Sequence, residues 1–239
     1  MEYGFNKKSG RYTDLETGRY VPRDLIFGAL NEDTQQFRVK AEKLAQQLVD
    51  GKISTTTFSR RLREELKPVL TRSSALGAGG MENLEGKQLS QLGNGARKAY
   101  SSLKGLTDQI RAGELTPGQI AERARRLSNH AYGAFHRAEQ LSRAEGGFTL
   151  GWRRLSSGAK HCPDCPAHET ESYVPIEEVV PIGDACVCGG RCRCSITYRK
   201  ASAAEIASLY GDGSLIDRVI ENQNELIAGD VGYPGLEPE

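Results

Sequence analysis

The chain has 239 residues with a formal net charge of +1, and 38% of its residues are hydrophobic. This length allows one large or two small domains with a real hydrophobic core, which excludes a miniprotein held together by disulfides. The near-zero charge excludes a globally basic nucleic-acid-binding protein. No stretch approaches the roughly 18 apolar residues of a membrane span, and the N-terminal sequence lacks a signal-peptide core, so we expect a soluble protein that stays where it is made.

Residues 1–30 are predicted to form an extended N-terminal arm. They carry four spaced aromatic residues, Tyr3, Phe5, Tyr12 and Tyr20, among glycines and charged residues, without the period of a helix or a strand. Such an arm needs a surface to lie on, so we expect it to bind a neighbouring protein.

Apolar residues at helical spacing predict an α-helical body over residues 31–146. A first helix begins at Asp33 and ends at Gly51, and a second, capped by the hydroxyl of Ser54 or the next residue, is bent or ended by Pro68. These two helices predict an αα-hairpin.

Two further helices predict a second hairpin. The third helix runs from Leu89 to Ile110, and the fourth begins with a Thr116 cap and Pro117 and continues to Ala138. The turns of the two hairpins match at a constant offset of 62 residues, with Gly51-Lys52-Ile53-Ser54 aligned on Gly113-Glu114-Leu115-Thr116. In each copy a glycine ends one helix and a hydroxyl caps the next, so the body is predicted to be two repeated αα-hairpins.

Past Gly146 the pattern changes to short strand-like segments over residues 148–155, 173–176 and 195–198. They bracket all six cysteines of the chain. We therefore predict a Cys-rich β module over residues 147–200, followed by a C-terminal appendage and tail over residues 201–239 with helical patterns at 203–209 and 215–227.

The cysteines are spaced as metal ligands. His161-Cys162-Pro163-Asp164-Cys165 is a C-x2-C knuckle, and about twenty residues later the chain carries Cys186, Cys188, Cys192 and Cys194. Two such groups, roughly 15 to 25 residues apart, can surround Zn²⁺ with four thiolates at about 2.3 Å. We predict one structural zinc ion, with ligands drawn from Cys162, Cys165, Cys188, Cys192 and Cys194.

The four ligands are not fixed by spacing alone. The safest pair is Cys162 with Cys165, and the second pair comes from Cys188, Cys192 and Cys194. Weaker substitutes are Cys186, His161 and His168. Disulfides would need an oxidising compartment, and a catalytic thiol would need an open electropositive site.

The only tryptophan, Trp152, is expected to pack on this module. The predicted fold class is therefore mainly α, and α+β overall, with a small zinc-stabilised β module and C-terminal helices.

The helical arginines offer a possible anion-binding face. They are Arg60, Arg61, Arg63, Arg123, Arg125 and Arg126. Interleaved Glu64, Glu65 and Glu122 favour a solvated face with ion pairs one helical turn apart. The sequence shows no acid–base constellation and no phosphate-binding glycine loop, so we predict that the chain is not an enzyme.

The order of these motifs resembles the tailed-bacteriophage head morphogenesis proteins, also known as minor capsid proteins, of the Mu F-like head protein type with C-terminal Cys knuckles. The resemblance runs from roughly Arg19 to Tyr198. It is carried by Asp50-Gly51-Lys52-Ile53-Ser54, Ala75-Leu76-Gly77-Ala78-Gly79-Gly80, Ala112-Gly113-Glu114-Leu115-Thr116, the 161–165 knuckle and Cys188-x3-Cys192-Arg193-Cys194. Its most specific element is the paired knuckle that ends in Cys-Arg-Cys, and Cys186 is an extra thiol beside this pattern.

The resemblance implies a virion component that is assembled in the host cytoplasm and acts in head assembly and in genome delivery. Its expected partners are portal, major capsid or connector proteins, with several copies in the particle and contact with packaged DNA, but no membrane and no small-molecule substrate. One alternative is a zinc-containing nucleic-acid-binding module, in which Arg191, Arg193, Arg199 and Lys200 contact phosphates. A remote alternative is a toxin-like enzyme, which would need an acidic and histidine cluster in a cleft.

Overall fold

The structure is a computed structural model that describes residues 3–6, 9–183, 186, 194–202 and 204–205. Over these residues the fold is mainly α and α+β overall, as predicted, with five α-helices and two small antiparallel sheets. The chain divides into two compact units, Met1–Arg199 and Lys200–Glu239. The predicted C-terminal helices lie almost wholly outside the described residues. None of the helices in the described ranges has the length and apolar content needed to cross a membrane.

An N-terminal sheet replaces the predicted extended arm. Its three antiparallel strands, paired in chain order, are β1 (Tyr3–Asn6), β2 (Arg11–Asp14) and β3 (Tyr20–Val21). Phe5 and Tyr12 are buried in the main core and meet edge to face, with ring centroids 5.2 Å apart. The prediction was wrong because the surface that these aromatic residues cover belongs to the same chain, and because strands of four residues or fewer are too short to show a period.

Five helices form the body, and their bounds differ from the prediction at several points. They are α1 (Arg23–Val49), α2 (Thr55–Ala78), α3 (Gly86–Arg111), α4 (Pro117–Arg126) and α5 (Asn129–Glu145). Helix α1 begins before Asp33 because Ile26 and Leu30 extend its buried stripe toward the N-terminus. Helix α2 continues through Pro68, since buried Leu66 and Val69 on either side hold it against its neighbours.

The predicted fourth helix is divided into α4 and α5 at Ser128. The Ser128 side chain is buried, donates a hydrogen bond to the Arg125 carbonyl oxygen (2.8 Å) and accepts one from Arg38 Nε (2.9 Å). A serine hydroxyl that bonds to its own backbone competes with helical hydrogen bonds. The break lets α4 pack on α1 while α5 packs on α2 and α3.

The repeated turn is present in the structure. Gly51 and Gly113 both adopt a left-handed backbone conformation, with φ of 70° and 69°. Ser54 accepts a hydrogen bond from the Thr57 amide, and Thr116 accepts the equivalent bond from Gln119. The similarity ends soon after the cap, because α4 has 10 residues whereas α2 has 24.

Helix α2 lies at the centre of the body and approaches α5 closely at Gly77. A Cβ atom at Gly77 would lie 2.2 Å from the Phe135 carbonyl oxygen and 2.9 Å from the Ala138 Cβ. The main core of the body includes Phe37, Phe58, Leu62, Leu66, Leu70 and Phe135, each at most 1% exposed. Absence of a side chain at Gly77 is therefore what permits this helix spacing.

Replacing Gly77 with alanine is expected to lower the free energy of unfolding by about 1–3 kcal/mol, because α2 and α5 would have to move apart. The matched control is Gly93→Ala in α3, where a Cβ would meet no atom within 4 Å. That change is expected to raise stability by about 0.5–1 kcal/mol, since alanine favours a helix over glycine. Urea denaturation measures both effects, and a Gly77→Ala protein as stable as the wild type would contradict the close crossing.

The second sheet forms the frame of the Cys-rich module. Its strands are β4 (Leu150–Arg154), β5 (Val174–Pro175) and β6 (Ser195–Arg199), with β4 between the other two. The three predicted strand segments are thus confirmed. Gln140 on α5 donates a hydrogen bond to the Val179 carbonyl oxygen (3.0 Å) and another to that of Ile176, which joins the module to the helical body.

Candidate metal centre

The first knuckle is a tight turn that follows β4. The Cys165 amide donates to the Cys162 carbonyl oxygen (3.1 Å), and the His168 amide donates to the Cys165 carbonyl oxygen (3.1 Å). This turn brings the Sγ atoms of Cys162 and Cys165 to 3.2 Å from each other. Cys165 is fully buried, so the turn points its sulfur into the module.

Two groups of potential ligand atoms meet at Cys165. One group is Cys162, Cys165 and Cys186, and the other is His161, Cys165 and Cys194. Within each group the ligand atoms lie within 4.8 Å of one another. These His and Cys groups could hold a metal ion, and thiolate and imidazole are donors that suit zinc.

His161 has the orientation of a metal-binding imidazole. Its Nε2 lies 2.9 Å from the Ser156 carbonyl oxygen, which can only accept a hydrogen bond, so Nε2 carries the proton. The neutral ring then has its lone pair on Nδ1, which lies 4.0 Å from the Cys194 Sγ. Histidines that bind metals typically donate the other ring N–H to a carbonyl or carboxylate in this way.

Arg153 on β4 is fully buried beside the sulfur atoms. Its Nη2 donates a hydrogen bond to the Cys186 Sγ (3.1 Å), and its Nη1 donates one to the Val180 carbonyl oxygen (2.8 Å). Burial alone would lower the pKa of the Arg153 guanidinium. The hydrogen bond and charge of Cys186, and then those of Cys194, raise this pKa above its usual value instead.

The structure brings together three of the five predicted ligands. Cys162, Cys165 and Cys194 belong to the two groups, whereas Cys188 and Cys192 lie outside the described residues. His161 and Cys186, which spacing ranks as weaker substitutes, join them, and His168 does not belong to either group. None of the four described cysteines forms a disulfide.

Arg153 is the residue that the sequence analysis missed. The sequence signal for it is its place in β4. Side chains at positions 151 and 153 point to one face of the strand, and those of Trp152 and Arg154 point to the other. Trp152 packs on the module as expected, with its Nε1 donating to the Thr170 carbonyl oxygen (2.9 Å).

The exposed helical arginines bond mostly to neighbouring acidic or polar groups. Arg60 pairs with Glu64 (2.7 Å), Arg126 pairs with Glu122 (2.8 Å), and Arg125 contacts both Glu122 and Glu42. These contacts match the ion-paired face that the sequence favours.

A cleft of about 330 Å³ between α3, α4 and α5 is nevertheless lined by several cationic side chains: Lys98, Arg123, Arg126 and Arg137. Of the basic residues near the second knuckle, Arg199 stacks on the Tyr173 ring at 4.6 Å, and Arg191 and Arg193 lie outside the described residues.

A second buried polar cluster is centred on Glu139 of α5. Arg23 donates to both carboxylate oxygens, at 3.1 and 2.6 Å, and Arg143 approaches at 3.5 Å. Burial alone would raise the pKa of Glu139, but the charges and hydrogen bonds of Arg23 and His136 together outweigh burial and hold the pKa at about 2. Burial lowers the pKa of His136, so that imidazole favours its neutral form.

The guanidinium of Arg143 contacts three aromatic rings at the edge of this cluster. Its Cζ lies 5.0 Å from the ring centroid of Phe5, 5.4 Å from that of Phe148 and 5.5 Å from that of Tyr198. Cation–π contacts of this kind are stronger when the groups are shielded from water. The cluster therefore joins the N-terminal sheet, α5 and β6.

Comparison of the chain with protein-family models, with curated proteins and with solved structures gave no match. Ideas about its function therefore depend on the side-chain geometry and on the order of the sequence motifs.

Proposed function

We propose that the protein is a structural component of a tailed-bacteriophage particle, a minor capsid, head morphogenesis or connector protein. Its role in head assembly and genome delivery is exercised through contacts with portal, capsid or connector proteins and not through catalysis. The order of the helical turns and Cys knuckles supports this assignment. The observation that carries it is that two groups of potential ligand atoms, Cys162–Cys165–Cys186 and His161–Cys165–Cys194, meet at the buried Cys165.

A structural zinc ion is part of the proposal. Among the described residues, the apolar cluster of the module has three buried side chains, Val179, Ile182 and Ile196, with Val174, Cys194 and Tyr198 packed against it. A core of this size contributes little burial free energy, so a metal bound by cysteines would supply much of the stability of the module. The donor set of thiolates and an imidazole favours Zn²⁺ over the oxygen-binding cations.

The second buried cluster supports a structural role as well. Glu139 is held by Arg23 with two hydrogen bonds, and its low pKa keeps it ionised at neutral pH. A general acid or base needs a pKa near the working pH, which this carboxylate does not have. The charges at this cluster therefore act in packing the N-terminal sheet against α5.

Two measurements test the proposal. Purified protein kept under reducing conditions is expected to contain about one equivalent of zinc, and less than about half an equivalent would contradict a structural site. Mass spectrometry and cryo-microscopy of particles from the phage that encodes the chain are expected to locate it at the portal, connector or inner capsid surface. Its absence from both procapsid and mature virion would overturn the proposed role in the particle.

A further inference from the structure

Arg153 presents a charge that the described residues do not balance with a carboxylate. Among the described residues it is the largest fully buried side chain, and its polar contacts are the Val180 carbonyl oxygen, the Cys186 sulfur and, with a smaller effect, Cys194. A carbonyl oxygen satisfies an N–H group but does not neutralise the guanidinium. A buried ionic group is costly unless an opposite charge lies beside it.

The sulfur of Cys186 is the group placed to provide that opposite charge. It lies 3.1 Å from Arg153 Nη2, a distance at which a charged donor meets a thiolate. The same sulfur belongs to the group formed by Cys162 and Cys165, with all three Sγ atoms within 4.8 Å of one another. Three thiols that close are deprotonated together when they share a divalent metal ion, which is how metal binding releases protons.

We propose that Cys186 is a ligand of the metal together with Cys162 and Cys165, and that Arg153 is the counter-cation of the resulting metal–thiolate centre. This inference rests on the proposed metal site. The family pattern that the sequence resembles places the second knuckle at residues 188–194, so Cys186 is a ligand outside that pattern. The fourth ligand comes from Cys194 or His161, the members of the group that shares Cys165.

Charge balance favours this arrangement. A divalent ion with four thiolates leaves two negative charges, and one with three thiolates and an imidazole leaves one. The single positive charge of Arg153 offsets half of the net charge of a four-thiolate centre and all of the net charge of a centre with three thiolates and one imidazole. Arg153 is thus a positioning residue, since it fixes the Cys186 sulfur by a hydrogen bond and lowers the cost of burying the anionic centre.

The first test compares Cys186→Ser with Cys188→Ser, two substitutions of the same type only two positions apart. Zn²⁺ affinity is measured by competition with a chromophoric chelator, and the ligand set is examined by the thiolate-to-metal charge-transfer bands of the Co²⁺-loaded proteins. We expect Cys186→Ser to lower the affinity by more than about 100-fold and to weaken the bands, because it removes a ligand and not an outer-shell contact. Cys188→Ser is expected to keep both close to wild type.

The outcomes separate this inference from the proposed metal site. A wild-type protein that binds neither Zn²⁺ nor Co²⁺ would overturn the metal site itself. A wild-type protein that binds Zn²⁺, with Cys186→Ser equal to it in affinity and spectrum, would overturn only the role of Cys186. The same holds if Cys188→Ser loses the metal and Cys186→Ser retains it.

The second test replaces Arg153 by methionine, which keeps much of the volume, and by lysine, which keeps the charge. We expect Arg153→Met to lower Zn²⁺ affinity about 10- to 100-fold and to shift the Co²⁺ charge-transfer bands, and Arg153→Lys to be less affected in both respects. A purely structural arginine would change the unfolding of the module and leave the spectrum of the Co²⁺ protein unchanged. If Arg153→Met has the Zn²⁺ affinity and the Co²⁺ bands of the wild type, the role of Arg153 as counter-cation is overturned. If the metal-free variant is unfolded, it is refolded in the presence of Co²⁺ so that the spectrum can still be measured.

Discussion

Replacing Cys165 with serine is expected to abolish metal binding and to unfold the module over residues 150–199 while the helical body stays folded. Cys165 is fully buried and is the one residue shared by both groups of potential ligands. Metal binding supplies on the order of 10 kcal/mol to the folding of small zinc modules, and the three apolar residues of the Val179 cluster cannot replace it. Hydrogen exchange should therefore accelerate in β4 and β6 and remain slow in α1 and α2.

The control for this prediction is Ala167→Ser, which introduces the same side chain at an exposed position of the same turn. It is expected to bind zinc and to exchange like the wild type. Removing the metal from the wild-type protein with a chelator should reproduce the exchange pattern of Cys165→Ser. Slow exchange in β4 and β6 after complete metal removal would show that the module does not depend on the ion.

Replacing Glu139 with glutamine is expected to lower the free energy of unfolding by about 3 kcal/mol at neutral pH, because the half-buried Arg23 and the more buried Arg143 lose their charged partner. Arg23 is 36% exposed, but the Glu139 side chain that it contacts is only 1% exposed, and Arg143 is 14% exposed. Chemical denaturation followed by helical circular dichroism measures the change. Glu64→Gln, at an exposed ion pair on α2, is the control and is expected to cost less than about 1 kcal/mol.

The same carboxylate is expected to give the protein an acid-sensitive stability. The pKa of Glu139 is about 2 in the folded protein, against a usual value of 4.5, so its contribution is complete above pH 4.5 and is lost as the pH falls toward 2. The size of this contribution is about 3 kcal/mol. The difference in unfolding free energy between wild type and Glu139→Gln should shrink over that range.

Comparing the two proteins removes the acid-dependent effects that they share. Release of metal from the cysteines occurs in both proteins and largely cancels in the difference, whereas protonation of His136, whose Nδ1 lies 3.5 Å from Glu139, is part of the difference. A difference that stays constant from pH 5 to pH 2.5 would contradict the ionised state of Glu139 in the folded protein.

Features coded by neighbouring residues could be predicted from the sequence. The hairpin turn needs only a left-handed glycine, a capping hydroxyl and an apolar residue in the following turn, all within eight positions. The Cys162–Cys165 knuckle is equally local, since a C-x2-C spacing itself brings two sulfurs together. The strands that flank the cysteines were visible for the same reason.

Features that depend on distant residues could not be predicted in this way. Arg153 on β4 meets Cys186 across 33 positions of sequence, and a separation of that length carries no local signal. The N-terminal aromatic residues looked like an arm because nothing near them in sequence indicates that α2 and α5 are their packing surface. The break at Ser128 escaped the helical period because the apolar stripe continues from α4 into α5 while the direction of the chain changes.

The three rings around Arg143 constrain the order in which the chain can fold during synthesis. Phe5 precedes Tyr198, which is near the end of the first compact unit, by 193 positions, so it is synthesised well before its last aromatic neighbour. Chains emerge at about 5–20 residues per second, so the N-terminal sheet waits on the order of ten seconds for its last aromatic contact. Until Tyr198 is synthesised, the ring of Phe5 can share Arg143 with Phe148 but has no contact with β6.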